Sequence, residues 1–314
     1  MFKETIEEQA KQQWLNDRKE GVGGSDISTI LGLNPHKSPH QLWMEKTGRS
    51  DENVDNNFTR AGVKLEPMVA DWFEETTKLQ LINPGNVVTK HATHDWILGT
   101  PDRETVDKEL VRGILEIKTT GHAIDPDNLP LPWFCQVNWY AGIKRSYGVT
   151  DMVQNYIAWF ERMTCAFNFT SLTFDPAFFQ YLVDQAGIFW NTYVITDTPP
   201  PAKSAKDVAL LYRTHAPGKA ILATEELAQT IAELIETQKV IKNASEQADK
   251  YKLGIQLIMQ DAESIIVDGR PAVTWKTAKD SLTFDETRFK SDHPDLYNSY
   301  LATSPGSRRF LVKK

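Results

Sequence analysis

The sequence has only two cysteines, Cys135 and Cys165, in 314 residues. Two thiols make no disulfide framework and cannot supply a four-cysteine iron–sulfur cluster or a zinc ribbon. No stretch approaches the roughly 18 consecutive apolar residues that a membrane-spanning helix needs. The first eight residues, Met1-Phe2-Lys3-Glu4-Thr5-Ile6-Glu7-Glu8, are acidic and polar, the wrong character for a secretory signal. The expectation is a cytoplasmic protein without a membrane partner. Positive charge is also in short supply: 35 Lys and Arg stand against 42 Asp and Glu, a net of −7. That excludes a general nucleic-acid coat protein and requires any DNA-binding surface to be a local basic groove. The deficit is uneven. Residues 1–200 carry 18 basic against 27 acidic side chains, and residues 201–314 carry 17 against 15.

What is present is a chain with 40% hydrophobic residues and nine tryptophans, enough for one large packed domain or a core with an appendage. An amphipathic helix is expected over 5–19, then a Gly-rich interruption at Gly21 to Gly24, with Ser25 or Asp26 capping a helix from Ile27 to Leu31. Ser38-Pro39 opens a short helix that Gly48 closes. Asp51 to Asn57 reads as a polar loop, and Arg60 to Thr77 as a longer helix carrying Glu66. Val87 to Thr89, Trp96 to Thr100 and Gly113 to Thr119 read as a strand meander with Asp107 in its last turn. Trp133 to Lys144 is a helix with Gln136 and Tyr140 four apart. Asp151 to Phe160 and Met163 to Thr170 read as strands, and Pro176 to Val194 as a helix. This order predicts an α/β or α+β fold. Thr198-Pro199-Pro200-Pro201-Ala202 is the clearest linker signal. Beyond it, Thr224 to about Glu263 is helical, with a possible break at Asn243-Ala244-Ser245. A hairpin turns at Asp268-Gly269, and Arg309 to Val312 reads as a final strand.

The chemically suggestive segment is Gly99-Thr100-Pro101-Asp102, followed after a turn by Glu116-Ile117-Lys118. Ile114 to Lys118 alternates with period two, so Leu115 and Ile117 share one strand face and Glu116 and Lys118 the other. A carboxylate in so apolar a strand needs a cation. Lys118 is one candidate, and a divalent metal shared with Asp102 is another. Two acids and a lysine around a hard cation suit attack of water on a phosphodiester. On the other side, Glu-x-Lys patterns are common on solvated strands. Glu66 can be a surface acid, Arg18 a partner of Asp17 or Glu20, and Ser25 only a helix cap. Trp14 and Trp43 read as packing residues, and His91 and His94 as structural.

Four stretches resemble the YqaJ-type phage recombination nucleases, relatives of lambda exonuclease in the PD-(D/E)xK superfamily. They are Trp14 to Arg18 with Gly23-Gly24-Ser25-Asp26 and Leu31 to Pro35; Ser38-Pro39 through Trp43 to Gly48; Arg60-Ala61-Gly62 to Leu65-Glu66-Pro67; and Gly99 to Asp102 with Glu116 to Thr120 and Gln136 to Tyr140. The resemblance covers residues 14–145. It implies a restriction-endonuclease-like core, a central mixed sheet flanked by helices, over 1–198. A linker over 199–223 and a helical and hairpin extension over 224–314 would follow.

The same resemblance implies that Asp102, Glu116, Glu66 and the backbone carbonyl of Ile117 hold two Mg²⁺ or Mn²⁺ ions. Lys118 would orient or deprotonate the attacking water, Gln136 would position it, and Arg18 and Ser25 would bind a terminal 5′-phosphate. It further implies 5′→3′ resection of linear double-stranded DNA in a bacterial host cell, a trimeric ring, and a single-strand annealing protein as partner. A structure-specific endonuclease and a non-catalytic DNA-end-binding recombination scaffold are the alternatives.

Overall fold

The computed structural model describes residues 6–50, 57–85, 87–149, 154–303 and 306–313. It falls into two compact units, one running to Val208 and one from Ala209 onward. The 199–223 segment expected as a linker spans that division.

The first unit begins with α1 (Ile6–Asp17), extended by a 3₁₀ turn at Arg18–Glu20, then α2 (Gly24–Ile30) and α3 (Pro39–Lys46). Helix α2 starts earlier than the sequence suggested. Its N-cap is Gly23, and Asp26, in the first turn, reaches back to the Gly23 amide at 2.9 Å. Ser25 and Asp26 therefore lie inside the helix rather than ahead of it. Helix α3 has the expected start: Ser38 accepts from the Gln41 amide, and the Gln41 side chain returns the bond. Helix α4 (Asn57–Thr77) follows; the expected polar loop before it, save for Asn57, lies outside the described residues.

The expected meander is divided between two sheets. Strands β2 (Thr89–Lys90) and β3 (Leu98–Gly99) form a small antiparallel pair. The five-stranded mixed sheet uses two strands that the sequence did not announce, β1 (Gln80–Ile82) and β4 (Arg103–Val106). To these it adds β5 (Arg112–Thr120), β6 (Gln154–Glu161) and β7 (Ala166–Thr173), in the order β1-β4-β5-β6-β7. Asp107 lies in the β4–β5 turn, accepting from the amides of Glu109 and Val111. Strand β5 is antiparallel to β4 and parallel to β6, and α5 (Leu131–Arg145) makes the crossover a parallel pair requires.

Helices cover both faces. From α4, Val69, Ala70 and Phe73 pack on Leu115, Ile117, Ala158 and Phe160. On the opposite face, Val137 of α5 packs with Ile157, Trp159 and Leu172. The alternation along β5 thus sends Leu115 and Ile117 into apolar contact beneath α4 and leaves Glu116 and Lys118 facing α5. The architecture is the expected mixed sheet flanked by helices. Helix α6 (Pro176–Phe189) ends in a π-turn at Trp190–Val194, and α7 (Ala205–Leu211) follows the proline run. Asp207 in α7 is fully buried and accepts from the Ser38 hydroxyl and from the Lys203 and Ser204 amides.

In the second unit α8 (Glu225–Met259) is one continuous 35-residue helix. Asn243-Ala244-Ser245 does not break it, since all three tolerate helical backbone when no proline or glycine is present. Strands β8 (Ser264–Val267) and β9 (Arg270–Thr274) form the expected hairpin, with Asp268 and Gly269 both at positive φ, 49° and 75°. Two short helices, α9 (Glu286–Asp292) and α10 (Pro294–Ser299), follow. Arg309 to Val312 forms no strand, having no partner edge among the described residues.

Candidate active site

The site begins at the open end of the β4–β5 ladder. Arg103 is the last β4 residue in register, opposite Leu115. One step further, the Ile117 amide on that edge has no strand carbonyl to meet. Asp102 takes its place: its Oδ2 accepts from the Ile117 amide at 2.7 Å. The chain's bend at Asp102 and the pleat of β5 therefore bring Asp102 beside Glu116. A strand residue projects its amide and carbonyl to one edge, so the Ile117 carbonyl shares the edge that Asp102 occupies.

Lys118 completes the group. Its ammonium donates to Glu116 Oε1 at 2.6 Å and to Gln136 Oε1 at 2.9 Å. The Gln136 amide in turn donates to the Tyr140 hydroxyl at 3.1 Å, one turn along the same face of α5. Glu116 is fully buried, and its other oxygen, Oε2, has no hydrogen-bond partner. Such an orphaned carboxylate oxygen is costly in a sheet interior.

The electrostatics follow from this crowding. Burial, and then the neighbouring Glu116 and Glu66 charges, push the Asp102 carboxyl well above the ordinary carboxylate range despite Lys118. Burial also raises Glu116, with Lys118 opposing. Burial works against the Lys118 ammonium, but Glu116 and Asp102 outweigh it and raise its pKa. Burial and the Glu116 charge push the Tyr140 hydroxyl far up, so it stays protonated.

Glu66 comes from α4 and is held differently. Its Oε1 accepts from Arg103 at 2.7 Å, and the same guanidinium nitrogen donates to the Asp102 carbonyl at 2.5 Å. Among the described residues no three His, Cys, Asp or Glu side chains stand together closely enough to hold a metal ion. The donor set nevertheless fits a hard divalent cation: two crowded carboxylates with raised pKa, a third within electrostatic reach, and one carboxylate oxygen without a partner.

Arg18 and Ser25 meet on the other side of the same cleft. The Arg18 guanidinium donates to Ser25 Oγ at 2.7 Å and lies over the Trp14 ring, 4.8 Å from its centroid. Neither Asp17 nor Glu20 is its partner. Instead Asp26 lies 4.0 Å away. Asp26 pairs with Lys46 at 2.7 Å, both side chains almost wholly buried, and Lys46 also donates to the Arg18 carbonyl. Burial alone would raise Asp26; Lys46 and Arg18 more than offset it and hold the carboxyl below its usual range. Helix α2 is seated on Tyr140. A Cβ on Gly24 would come within 2.7 Å of the Tyr140 ring, so only glycine fits there. The cleft, about 190 Å³, is lined by Arg18, Ser25, Asp102, Gln136 and Tyr140, together with Trp14 and Thr100.

Of the expected site residues, Arg18, Ser25, Asp102 and Gln136 line this cleft; Glu116 and Lys118 join it through the Lys118 bond to Gln136, and Glu66 is tied to the Asp102 backbone through Arg103. Trp14 is more than packing, since its indole donates to Thr100 at 3.3 Å beside Arg18. Trp43 is buried and donates to the Tyr193 carbonyl. His91 stacks on Phe179 and meets the His94 ring edge-on, packing contacts outside the cleft. Arg103 and the pairing of Asp26 with Lys46 were not anticipated. Each of the three is a charged residue whose significance lies in a contact distant in sequence.

The family of YqaJ-like viral recombinase domains matches residues 13–151. Along nearly its whole length the chain is similar to the uncharacterised protein YqaJ of Bacillus subtilis (strain 168). The two are 27% identical over 321 residues, covering 98% of this chain and 95% of the relative. It is also similar to the uncharacterised protein R354 of Acanthamoeba polyphaga mimivirus, 27% identical over 41% of this chain and 26% of the relative. Among solved structures, the alkaline exonuclease LHK-Exo of Laribacter hongkongensis superposes with a TM-score of 0.48. It is 15% identical, over 59% of this chain and 93% of that one. Residues 13–151, the segment similar to that family, include every residue that lines the cleft.

Proposed function

We propose that this chain is a divalent-cation-dependent deoxyribonuclease that resects linear double-stranded DNA 5′→3′, exposing 3′ strands for recombination by annealing. The observation that carries the proposal is a single cleft lined by Asp102, Gln136, Arg18 and Ser25, with Lys118 and Glu116 joined to it through the Lys118 bond to Gln136. A guanidinium and a hydroxyl in the same cleft as an acid suit removal of nucleotides from a phosphorylated end.

Asp102, Glu116, the Ile117 carbonyl and Glu66 are the residues that would hold one or two Mg²⁺ or Mn²⁺ ions. When bound, such ions lower the pKa of water and stabilise a leaving oxygen. The chain's own groups do the rest. Lys118, held by Gln136, carries positive charge to where the phosphorane develops. Gln136 and Tyr140 fix the ammonium and keep it from collapsing wholly onto Glu116. Arg18, braced by Trp14 and Ser25, offers a planar fork to a terminal 5′-phosphate, and Ser25 adds a hydroxyl in the first turn of α2.

The same reading puts the exonuclease core at 1–198, a linker at 199–223 and an extension at 224–314 that serves assembly or a partner. It takes the working form to be a homo-oligomer, a trimeric ring, acting with a single-strand annealing protein in the bacterial cytoplasm.

Time-resolved digestion of a duplex labelled at one 5′ end, with and without Mg²⁺, tests it. The expected result is Mg²⁺-dependent release of label as the first product, with closed circular duplex untouched. Cleavage of closed circles would make the chain an endonuclease. Binding of ends with no cation-dependent release would leave it a recombination scaffold.

A further inference from the structure

The reading above leaves Arg103 without a role, although its position is unusual. It is a nearly buried guanidinium in a β-strand, directly after Asp102. Its partner across the ladder is Leu115, so its side chain falls on the α4 face of the sheet, while Glu116 and Lys118 face α5. On that face it meets one carboxylate, Glu66, and clamps it by Oε1 at 2.7 Å; the same nitrogen is anchored on the Asp102 carbonyl. One guanidinium therefore ties a residue of α4 to the backbone of the residue beside Glu116.

We propose that Arg103 is a positioning residue for Glu66. By occupying Oε1 it fixes the rotamer of a carboxylate that is otherwise about one-third exposed on a helix surface. The clamped carboxylate lies near enough to Asp102 and Glu116 for its charge to raise both, and the oxygen that Arg103 does not use is the one assigned to a divalent ion. Free rotation of a glutamate costs side-chain entropy whenever it is ordered by an ion; here the ion pair has already ordered it. The proposal rests on the cation-binding reading and assigns Arg103 specifically to the ion nearest Glu66, leaving the ion held by Asp102 and Glu116 independent of it.

The test is Mn²⁺ binding to the full chain without DNA, followed by electron paramagnetic resonance and calorimetry, for wild type, Arg103→Met, Arg103→Lys, Glu66→Gln and the Arg103→Met/Glu66→Gln pair. The wild type is expected to bind two ions. Arg103→Met should weaken the second site by about tenfold to a hundredfold, the usual effect of removing a ligand's supporting partner, with the first site unchanged. Arg103→Lys, which keeps a cation but not the fork, should recover part of the loss. Adding Arg103→Met to Glu66→Gln should bring no further weakening. Circular dichroism and thermal melting verify that each variant is folded, and Arg103→Lys stands in if Arg103→Met is not. Equal affinities in wild type and both Arg103 variants overturn the proposal. So does a tighter second site in Arg103→Met, which would make Arg103 a competitor for Glu66. Failure of wild type to bind Mn²⁺ at all overturns the underlying functional reading instead.

Discussion

Asp102 Oδ2 and the Ile117 amide are joined by a 2.7 Å hydrogen bond, which makes an acidic side chain the continuation of a β-ladder. The bond explains how two acids separated by a turn and most of two strands become neighbours. It also means that the Asp102 carboxylate is oriented by backbone geometry before any ligand arrives.

Replacing Lys118 by Met should lower nucleotide release from linear duplex by at least about a hundredfold, the common scale for losing a positioned acid–base or charge-stabilising group. Gln136→Leu should lower it by a smaller factor, since Lys118 keeps its bond to Glu116. Initial rates at saturating Mg²⁺ measure both. A Lys118→Met protein at wild-type rate would remove the lysine from the chemistry.

The raised Asp102 carboxyl has a pH signature in the cation-free protein. A carboxyl whose folded pKa lies above its unfolded value binds more protons when folded. Its stabilising contribution is complete below the ordinary value of about 4 and is lost as pH rises through the elevated one. Asp102→Asn removes the titration. In EDTA the variant should melt higher than wild type at pH 8, and the gap should shrink as pH falls toward 5. A gap independent of pH would contradict the raised value.

For Arg18→Ala, preference for 5′-phosphorylated over 5′-hydroxyl ends should shrink, with cleavage of the latter nearly unchanged. Competition between the two duplexes reads this directly. An undiminished preference would reduce Arg18 to its contacts with Trp14 and Ser25.

Asp26→Ala strands Lys46 in the interior, so destabilisation of about 3–5 kcal/mol is expected from urea unfolding. Replacing both Asp26 and Lys46 by leucine should be much milder, because no buried charge then lacks a partner. If the single and double variants were equally stable, the pair would be solvated rather than buried.

Much of this site was legible in the sequence because period two and helix spacing are local. The alternation from Ile114 to Lys118 was enough to separate the apolar face from the acidic one, and Gln136 and Tyr140 share a helix face by counting. Strands β1 and β4 were not legible. Gln80–Ile82 is three residues long, and Arg103–Val106 carries Arg, Glu and Thr, so neither shows an apolar run; their partners define them. The start of α2 was misplaced because Gly23 caps with its backbone, and Asp26 supplies the reciprocal bond from within the helix. Arg103 and Lys46 were invisible for another reason. Nothing nearby in the chain tells a basic residue that its carboxylate lies 37 positions away, as Glu66 does, or 20 away, as Asp26 does.

Ser38 serves two masters. It caps α3 by accepting from Gln41 and at the same time donates to Asp207, beyond the proline run. Any shortened version ending at the prolines would remove Asp207 from the Ser38 hydroxyl, and one ending near residue 151 would also remove the Tyr193 carbonyl that Trp43 donates to. The practical lesson for trimming is that a partner of α3 sits in a helix that a sequence-guided cut would discard, so a fragment should retain α7 through Leu211.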